Sequence, residues 1–538
     1  MRSVSRWLFA FVVCGCSFLR LAAQCPDRPI SGTVVDDPLA LSSQNGVLSA
    51  QMTLAHSVDG NSFTHYCYNY TAGDQVFEAP TLRVSPGDEL DLKILNRIQN
   101  DFGQTKPKTN AKTNARGRNK TKMTMPIPES PDANCGDGGD MTIDATNVHY
   151  HGMNISPKCH QDDVINTLIQ PGSAGFQYKI PIPATQPPGL YWYHPHVHGF
   201  TEFQVNGGAA GALIVEGMEK VHPEVAGLTE RVFVIRQQFL VPWVPGPYEL
   251  TINYQVAPVI SGAKPVIQMK PGEKQFWRVA NATIQDFMPL QVIVDNQPQP
   301  LQVVALDGYP LAQIRTQDTI VLPPAGRAEF IVQAPPVGST AYVFLKDYST
   351  GPTGNADLQQ SLGAIQITNN ANFSHMPKAL GFSSPAKLKF ADLAAQKPTA
   401  ERKLFFSEEF AGTNGPIQFY ITVEGQKQKV FEANEKPVIT TKVGAVEDWT
   451  IENRALETHA FHMHQIHFQM LEIDGKPVAN QDMRDTIEIP FWEGTGPFHS
   501  VKVRMDFRDP TIAGTFLFHC HILLHEDLGM MHKILVEP

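Results

Sequence analysis

Three stretches of the chain share one pattern of apolar and polar positions. PTLRVSPGDELDLKILN begins at Pro80, PVIQMKPGEKQFWRVAN at Pro265 and PVITTKVGAVEDWTIEN at Pro437. In each, apolar residues alternate on both sides of a glycine (Gly87, Gly272, Gly444), and an asparagine closes the unit (Asn96, Asn281, Asn453). Alternation with period two predicts half-buried β-strands, and the glycine predicts the turn between them. The copies lie much further apart than the ~20–50 residues of a solenoid repeat, so each marks a whole domain.

The pattern predicts an all-β chain of three tandem Greek-key β-sandwiches. Their expected limits are Ala50 to Gly217, closing on GALIVEG, then Glu230 to Thr368, closing on GAIQIT, then Arg402 to Pro538. A length of 538 residues agrees with about three domains. Plentiful Pro (42) and Gly (40) suit many short strands joined by turns. One stretch breaks the pattern: Gly103 to Met125 carries seven Lys or Arg and no acid, which predicts a solvated loop within the first domain.

Composition narrows the function classes. With 42 % hydrophobic and 18 % charged residues the chain is globular, and a net charge of -10 argues against nucleic acid as its main partner. Arg2 and Arg6 precede an apolar run from Trp7 to Leu19, and Ala22-Ala23 follow: a secretory signal over residues 1–23, cleaved near Ala23. That run falls short of the ~20 residues that span a bilayer, so an exported chain with no stable membrane insertion is expected. Outside the run stand Cys25, Cys67, Cys135, Cys159 and Cys520. The first four allow up to two disulfides in any of three pairings; Cys135 with Cys159 is the pairing expected here. Asn69, Asn119, Asn154, Asn281 and Asn372 stand in N-x-S/T patterns, which matter only in a eukaryotic host.

The chemistry lies in the histidines. Ten of 19 fall into four clusters: His149 and His151 in NVHYHG, His194 and His196 in GLYWYHPHVHG, His459, His462 and His464 in THAFHMHQIHF, and His519, His521 and His525 in HCHILLHEDLGM. The last cluster also holds Cys520 and Met530. Thiolate, imidazole and a weak thioether are the ligands of a blue-copper site. On a strand, Cys520 faces one way and His519 and His521 the other, so one strand can serve two metal centres. Structural zinc prefers four closed ligands and has no redox role, and non-haem iron wants a carboxylate among its ligands, which stands between none of the clustered histidines.

In order and spacing the four clusters resemble the copper motifs of the multicopper oxidases, the laccase and ascorbate oxidase family. The resemblance covers nearly all of the chain beyond its first few dozen residues and implies cupredoxin-like sandwiches. It implies four copper ions. Type 1 copper would be held by His459, Cys520 and His525 with Met530 axial, and type 2 by His149 and His462. The type 3 pair would take His151, His194, His196, His464, His519 and His521. The ligands fall in the first and third domains, so the three-copper cluster would form between them, with the middle domain as a spacer and a wall of the substrate cleft.

Glu526 follows His525 in HEDLGM, which resembles bacterial laccases and metallo-oxidases, where an acid here assists proton delivery to oxygen. Asp163 aligns with a second such acid. The family has Asp-Gly there, whereas this chain has Asp163-Val164, and Asp162 competes for the role. His198 and His467 are expected to pack beside or orient copper ligands, and Tyr191, Trp192 and Tyr193 to be core aromatics. The implied activity is laccase-like: a phenol or aromatic amine gives up single electrons and dioxygen is reduced to water by a monomeric enzyme. Two alternatives stand: a metallo-oxidase of cuprous, ferrous or manganous ions, and an exported copper-binding or structural protein. Sixteen methionines are scattered with no Met-rich insert, which disfavours cuprous oxidation.

Overall fold

Each repeated stretch folds as a strand, a glycine turn and a second strand that passes to a different sheet. Thr81–Val84 and Glu89–Asn96 belong to separate five-stranded sheets. Val266–Met269 and Lys274–Asn281 belong to a six- and a seven-stranded sheet, and Ile439–Lys442 and Ala445–Asn453 to a five- and a seven-stranded one. Gly87, Gly272 and Gly444 take φ of +92°, +71° and +100°, the left-handed region that glycine enters without steric cost. The closing asparagine is a buried clamp. Its Nδ2 donates to the carbonyls of Asp144 and Ile169 (Asn96), of Asp286, Leu322 and Pro323 (Asn281), or of Glu457 and Ile489 (Asn453). Its Oδ1 accepts the N–H two residues on in every copy. The repeat thus encodes a sandwich corner, not chemistry.

The computed structural model describes residues 24–60, 63–98, 123–124, 135–238, 249–259, 262–371, 388–410 and 417–538. The expected signal over 1–23 and all of the basic stretch 103–125 except strand residues Met123–Thr124 lie outside these residues. Three pairs of sheets follow in chain order, and strands that neighbour one another in a sheet are often distant in sequence. The first sheet runs Ala40–Ser42, Thr81–Val84, Gly211–Val215, Gly189–His194, His149–His151. Each pair encloses its own apolar core. Leu92, Trp277 and Trp449 hold the same repeat position, and all three are fully buried in these cores. The chain is therefore the expected all-β array of three cupredoxin-like sandwiches.

Disulfides join Cys25 to Cys67 and the expected Cys135 to Cys159, leaving Cys520 as the free cysteine among the described residues. Asn69, Asn154 and Asn281 are buried, so their N-x-S/T patterns are not surface acceptors; Asn119 and Asn372 lie outside the described residues. No helix among the described residues is long and apolar enough to cross a membrane.

Candidate metal centres

One two-stranded ladder in the last sandwich carries both centres. His459–Met463 pairs antiparallel with Gly514–Cys520, setting Phe461 opposite Cys520 and His462 opposite His519. Opposed residues share a face and successive ones alternate. Phe461 and Cys520 face the sandwich core with His459, whereas His462 and His519 face outward.

On the core side, Cys520 Sγ lies 3.6 Å from His459 Nδ1 and 3.9 Å from His525 Nδ1, the latter carried by the short helix Leu523–Asp527. Atoms bound about 2.0–2.3 Å from one metal and opened to ~120° sit about 3.7 Å apart, so this spacing fits a shared ion. Met530 is fully buried in the same apolar cluster, and its carbonyl accepts the Cys520 N–H. Burial pushes the Cys520 thiol up, so loading a cation there must release a proton. Paired strands Ala400–Phe410 and Ile417–Val423 form a roof: Phe406 stacks on His459 at 4.9 Å and Phe419 on His525 at 4.0 Å. At the far edges of the two rings, Glu408 Oε1 is 3.4 Å from His459 Nε2 and Glu457 Oε2 is 3.7 Å from His525 Nε2.

Facing the outward side is a ladder of the first sandwich, in which His149 lies opposite His194 and His151 opposite Trp192. The two ladders interlock. His149 stacks on His464 at 3.9 Å, His151 on His462 at 3.8 Å, and His519 Nε2 lies 3.4 Å from His196 Nε2 and 3.1 Å from His464 Nε2. Three all-histidine groups among the described residues have donor atoms all within 4.8 Å of one another: His149, His151 and His462; His151, His194 and His521; His196, His464 and His519.

The donor set fits metal ions. His149 Nε2, His151 Nδ1, His194 Nε2, His462 Nε2 and both nitrogens of His521 are buried without a hydrogen-bond partner. Each such atom costs about 1–3 kcal/mol unless something satisfies it, and here they cluster. The opposite ring nitrogens are engaged: His149 Nδ1 with Asp162, His194 Nδ1 with the Pro195 carbonyl, His462 Nδ1 with the Asp485 carbonyl and His519 Nδ1 with the Cys520 carbonyl. That pattern selects the tautomer whose free nitrogen faces the cluster. Burial, reinforced for most by neighbouring imidazoles, holds the rings neutral, as ligands must be; His194 falls to about 3 and His519 to about 4.

Sequence models of the multicopper oxidase family match residues 141–220, 234–370 and 410–538. The chain belongs to the multicopper oxidase family. It is similar to the multicopper oxidase of Staphylococcus aureus, 26 % identical over 407 residues that span 73 % of this chain and 76 % of that one. The laccase of Bacillus subtilis is 22 % identical over 386 residues, 65 % of this chain and 71 % of that one. In fold it matches a multicopper oxidase of Campylobacter jejuni described as a metallo-oxidase, with a TM-score of 0.65 at 22 % identity, covering 95 % of this chain and 96 % of that one. Family membership makes the chain a copper-binding oxidoreductase, and its histidine clusters fit copper sites.

Among the acids of the oxidase that stand against the histidine cluster are Glu526 and Asp162. Glu526, fully buried, is 3.2 Å from His519 Nδ1 and 3.6 Å from His196 Nδ1; burial and the neighbouring Asp527 push its carboxyl well above the usual range. The acid that grips His149 is Asp162, one residue before the expected Asp163. Asp162 lies 3.0 Å from His149 Nδ1 and accepts the Tyr150 N–H and Gln465 Nε2–H, and burial lifts its carboxyl to about 8. Asp163 accepts instead from the N–H and Nδ2 of Asn166.

Other neighbours complete the centre. His467 packs between Tyr191, Tyr309 and Phe390 and donates to the Asp307 carbonyl, and His198 packs edge-on to Phe431. Trp192 does more than fill the core: it stacks on His194 at 4.2 Å and lies 5.2 Å from His151. Sequence reasoning missed Asp485 and Arg327, which meet beside His151. Each is a charge at the head of a largely buried strand, in DTIEI and RAEFIV, and that misfit was the available signal.

Proposed function

We propose that the oxidase couples single-electron oxidation of a donor at the His459–Cys520–His525 site to four-electron reduction of dioxygen to water at the eight-histidine site. One observation carries the reading: a single ladder bears both sites on opposite faces, with Cys520 between His519 and His521. Copper, when bound, supplies the one-electron chemistry. We assign four ions: one would be held by His459, Cys520 and His525 with Met530 as a weaker fourth donor, one by His149 and His462, and a pair by His151, His194, His196, His464, His519 and His521. Cys520 and its two neighbours give a short covalent path between the sites. Glu526 holds a proton beside His519 and His196, ready for reduced oxygen. The two disulfides support an exported enzyme.

For the donor, the edges of both core-side histidines favour a low-valent metal ion, cuprous, ferrous or manganous. Glu408 and Glu457 cover the two Nε2 atoms, so a donor meets carboxylates before imidazole. A carboxylate at the edge of each ring attracts a cation and can enter its coordination shell. The metallo-oxidase description of the Campylobacter jejuni protein accords with this. A phenol or aromatic amine is the second reading. It is supported by Phe410, 68 % exposed on the same strand face as Glu408, which offers a ring to stack on. Oxygen uptake by copper-loaded protein, tested with each ion and with a phenol, separates the two. Glu408→Gln with Glu457→Gln should raise KM for the ion about tenfold or more and leave phenol turnover within a factor of about two, each lost charge being worth ~1 kcal/mol or more at such range. Phenol oxidation without ion oxidation in the parent sinks the metal-ion reading.

A further inference from the structure

Asp485 sits where the three sandwiches meet. It belongs to the last and immediately precedes strand Thr486–Ile489. Its Oδ1 lies 3.3 Å from His151 Nε2 of the first sandwich, and its carbonyl accepts from His462 Nδ1 at 2.8 Å. The Thr486 hydroxyl, 2.9 Å from Asp485 Oδ1, lies 3.3 Å from His151 Nε2 and 3.2 Å from His462 Nδ1. From the middle sandwich Arg327 closes on this carboxylate with two prongs, Nη1 to Oδ1 at 2.7 Å and Nη2 to Oδ2 at 2.5 Å. Both side chains are fully buried.

The guanidinium has no freedom left. Its remaining N–H groups reach the carbonyls of Leu190, Ala325 and Asp307 at 3.3, 3.0 and 2.8 Å, so all five donors are used. The backbone after His151 packs against the same pair. Gly152 has φ +83°, and a Cβ there would lie 2.5 Å from both Arg327 Nη2 and Asp485 Oδ2. A glycine follows the first histidine pair because the ion pair occupies the space of a side chain.

We propose that Arg327 is a positioning residue of the eight-histidine site: by gripping Asp485 it fixes His151 with Nδ1 turned to the metal and steadies the carbonyl that orients His462. The middle sandwich thereby takes part in copper binding without supplying a ligand, and is more than a spacer. The inference rests on the reading of His151 and His462 as copper ligands. A purely structural role would make Arg327 interdomain glue, like Arg484, which joins the last sandwich to Asp307 of the middle one at 2.6 Å.

The test uses the copper-loaded full chain and two readouts, the paramagnetic resonance signal of the mononuclear type 2 copper and copper release to a competing chelator. Arg327→Lys keeps the charge but cannot make two parallel bonds. It should keep the fold and the blue colour, alter the type 2 signal and weaken copper retention at the histidine site by about 10–100-fold, as loss of a ligand-orienting partner does. Arg327→Met should do more. Arg484→Met should lower the melting temperature and leave both copper readouts unchanged. Parent-like signal and retention in Arg327→Lys, whether or not Arg327→Met folds, would overturn the proposal and make Arg327 glue. A parent lacking a type 2 signal would remove the ligand reading, and the proposal with it.

Discussion

The two metal sites share a ladder, yet one is local and the other composite. His459, Cys520, His525 and Met530 all come from the last sandwich, and so do the roof rings Phe406 and Phe419 and the edge acids Glu408 and Glu457. The histidine site draws its candidate ligands from the first and last sandwiches, and the proposed Asp485–Arg327 support from the last and middle ones. A centre built within one folding unit forms when that unit folds. A centre split across three needs their docking as well, so its buried charges hold the interface and the ligands together.

The comparison breaks most sharply at Cys520. Cys520→Ser removes the soft ligand of the local site and leaves every histidine of the composite one. Blue absorption and donor-driven turnover should vanish, while most of the copper at the histidine site stays by metal analysis. A blue variant would mean that the thiolate is not the ligand. On the composite side, Glu526→Gln keeps size and hydrogen bonding but carries no transferable proton near neutral pH. Copper content and reduction by the donor should survive while turnover drops ~10²–10⁴-fold. Stopped-flow reoxidation of the fully reduced enzyme is the check, and a parent-like rate removes Glu526 from proton delivery.

What could be read in the sequence follows the same division. The repeat showed three sandwiches because its glycine and asparagine answer local needs, a left-handed turn and a corner clamp. The histidine clusters showed the candidate ligands because strand alternation is a short-range rule. Asp485 and Arg327 were invisible because no local rule pairs residues 158 apart on different sandwiches. The placing of Asp162 rather than Asp163 against His149 has a different origin: in consecutive acids, local backbone shape decides which carboxyl meets the ring. Asp162→Asn should therefore weaken copper retention or activity by about 10–100-fold, and Asp163→Asn should leave both close to the parent. The reverse outcome, by chelator competition and oxygen uptake, would return the role to Asp163.

The smallest expected effect lies back in the local site. Met530 is fully buried beside Cys520, and leucine is close to it in volume, so Met530→Leu should cost under about 1.5 kcal/mol of stability. In the proposed site its sulfur is the weak, electron-rich donor of a blue-copper set, and such a donor favours the oxidised ion over the reduced one. Losing it should raise the reduction potential while the colour persists, because Cys520, His459 and His525 remain. The neighbouring Met531 is no substitute: it pairs opposite His519, so it faces the other side of the ladder from Cys520. An unchanged potential on redox titration would thus mean that the local site has no axial thioether from this segment and is completed by its three strong ligands alone.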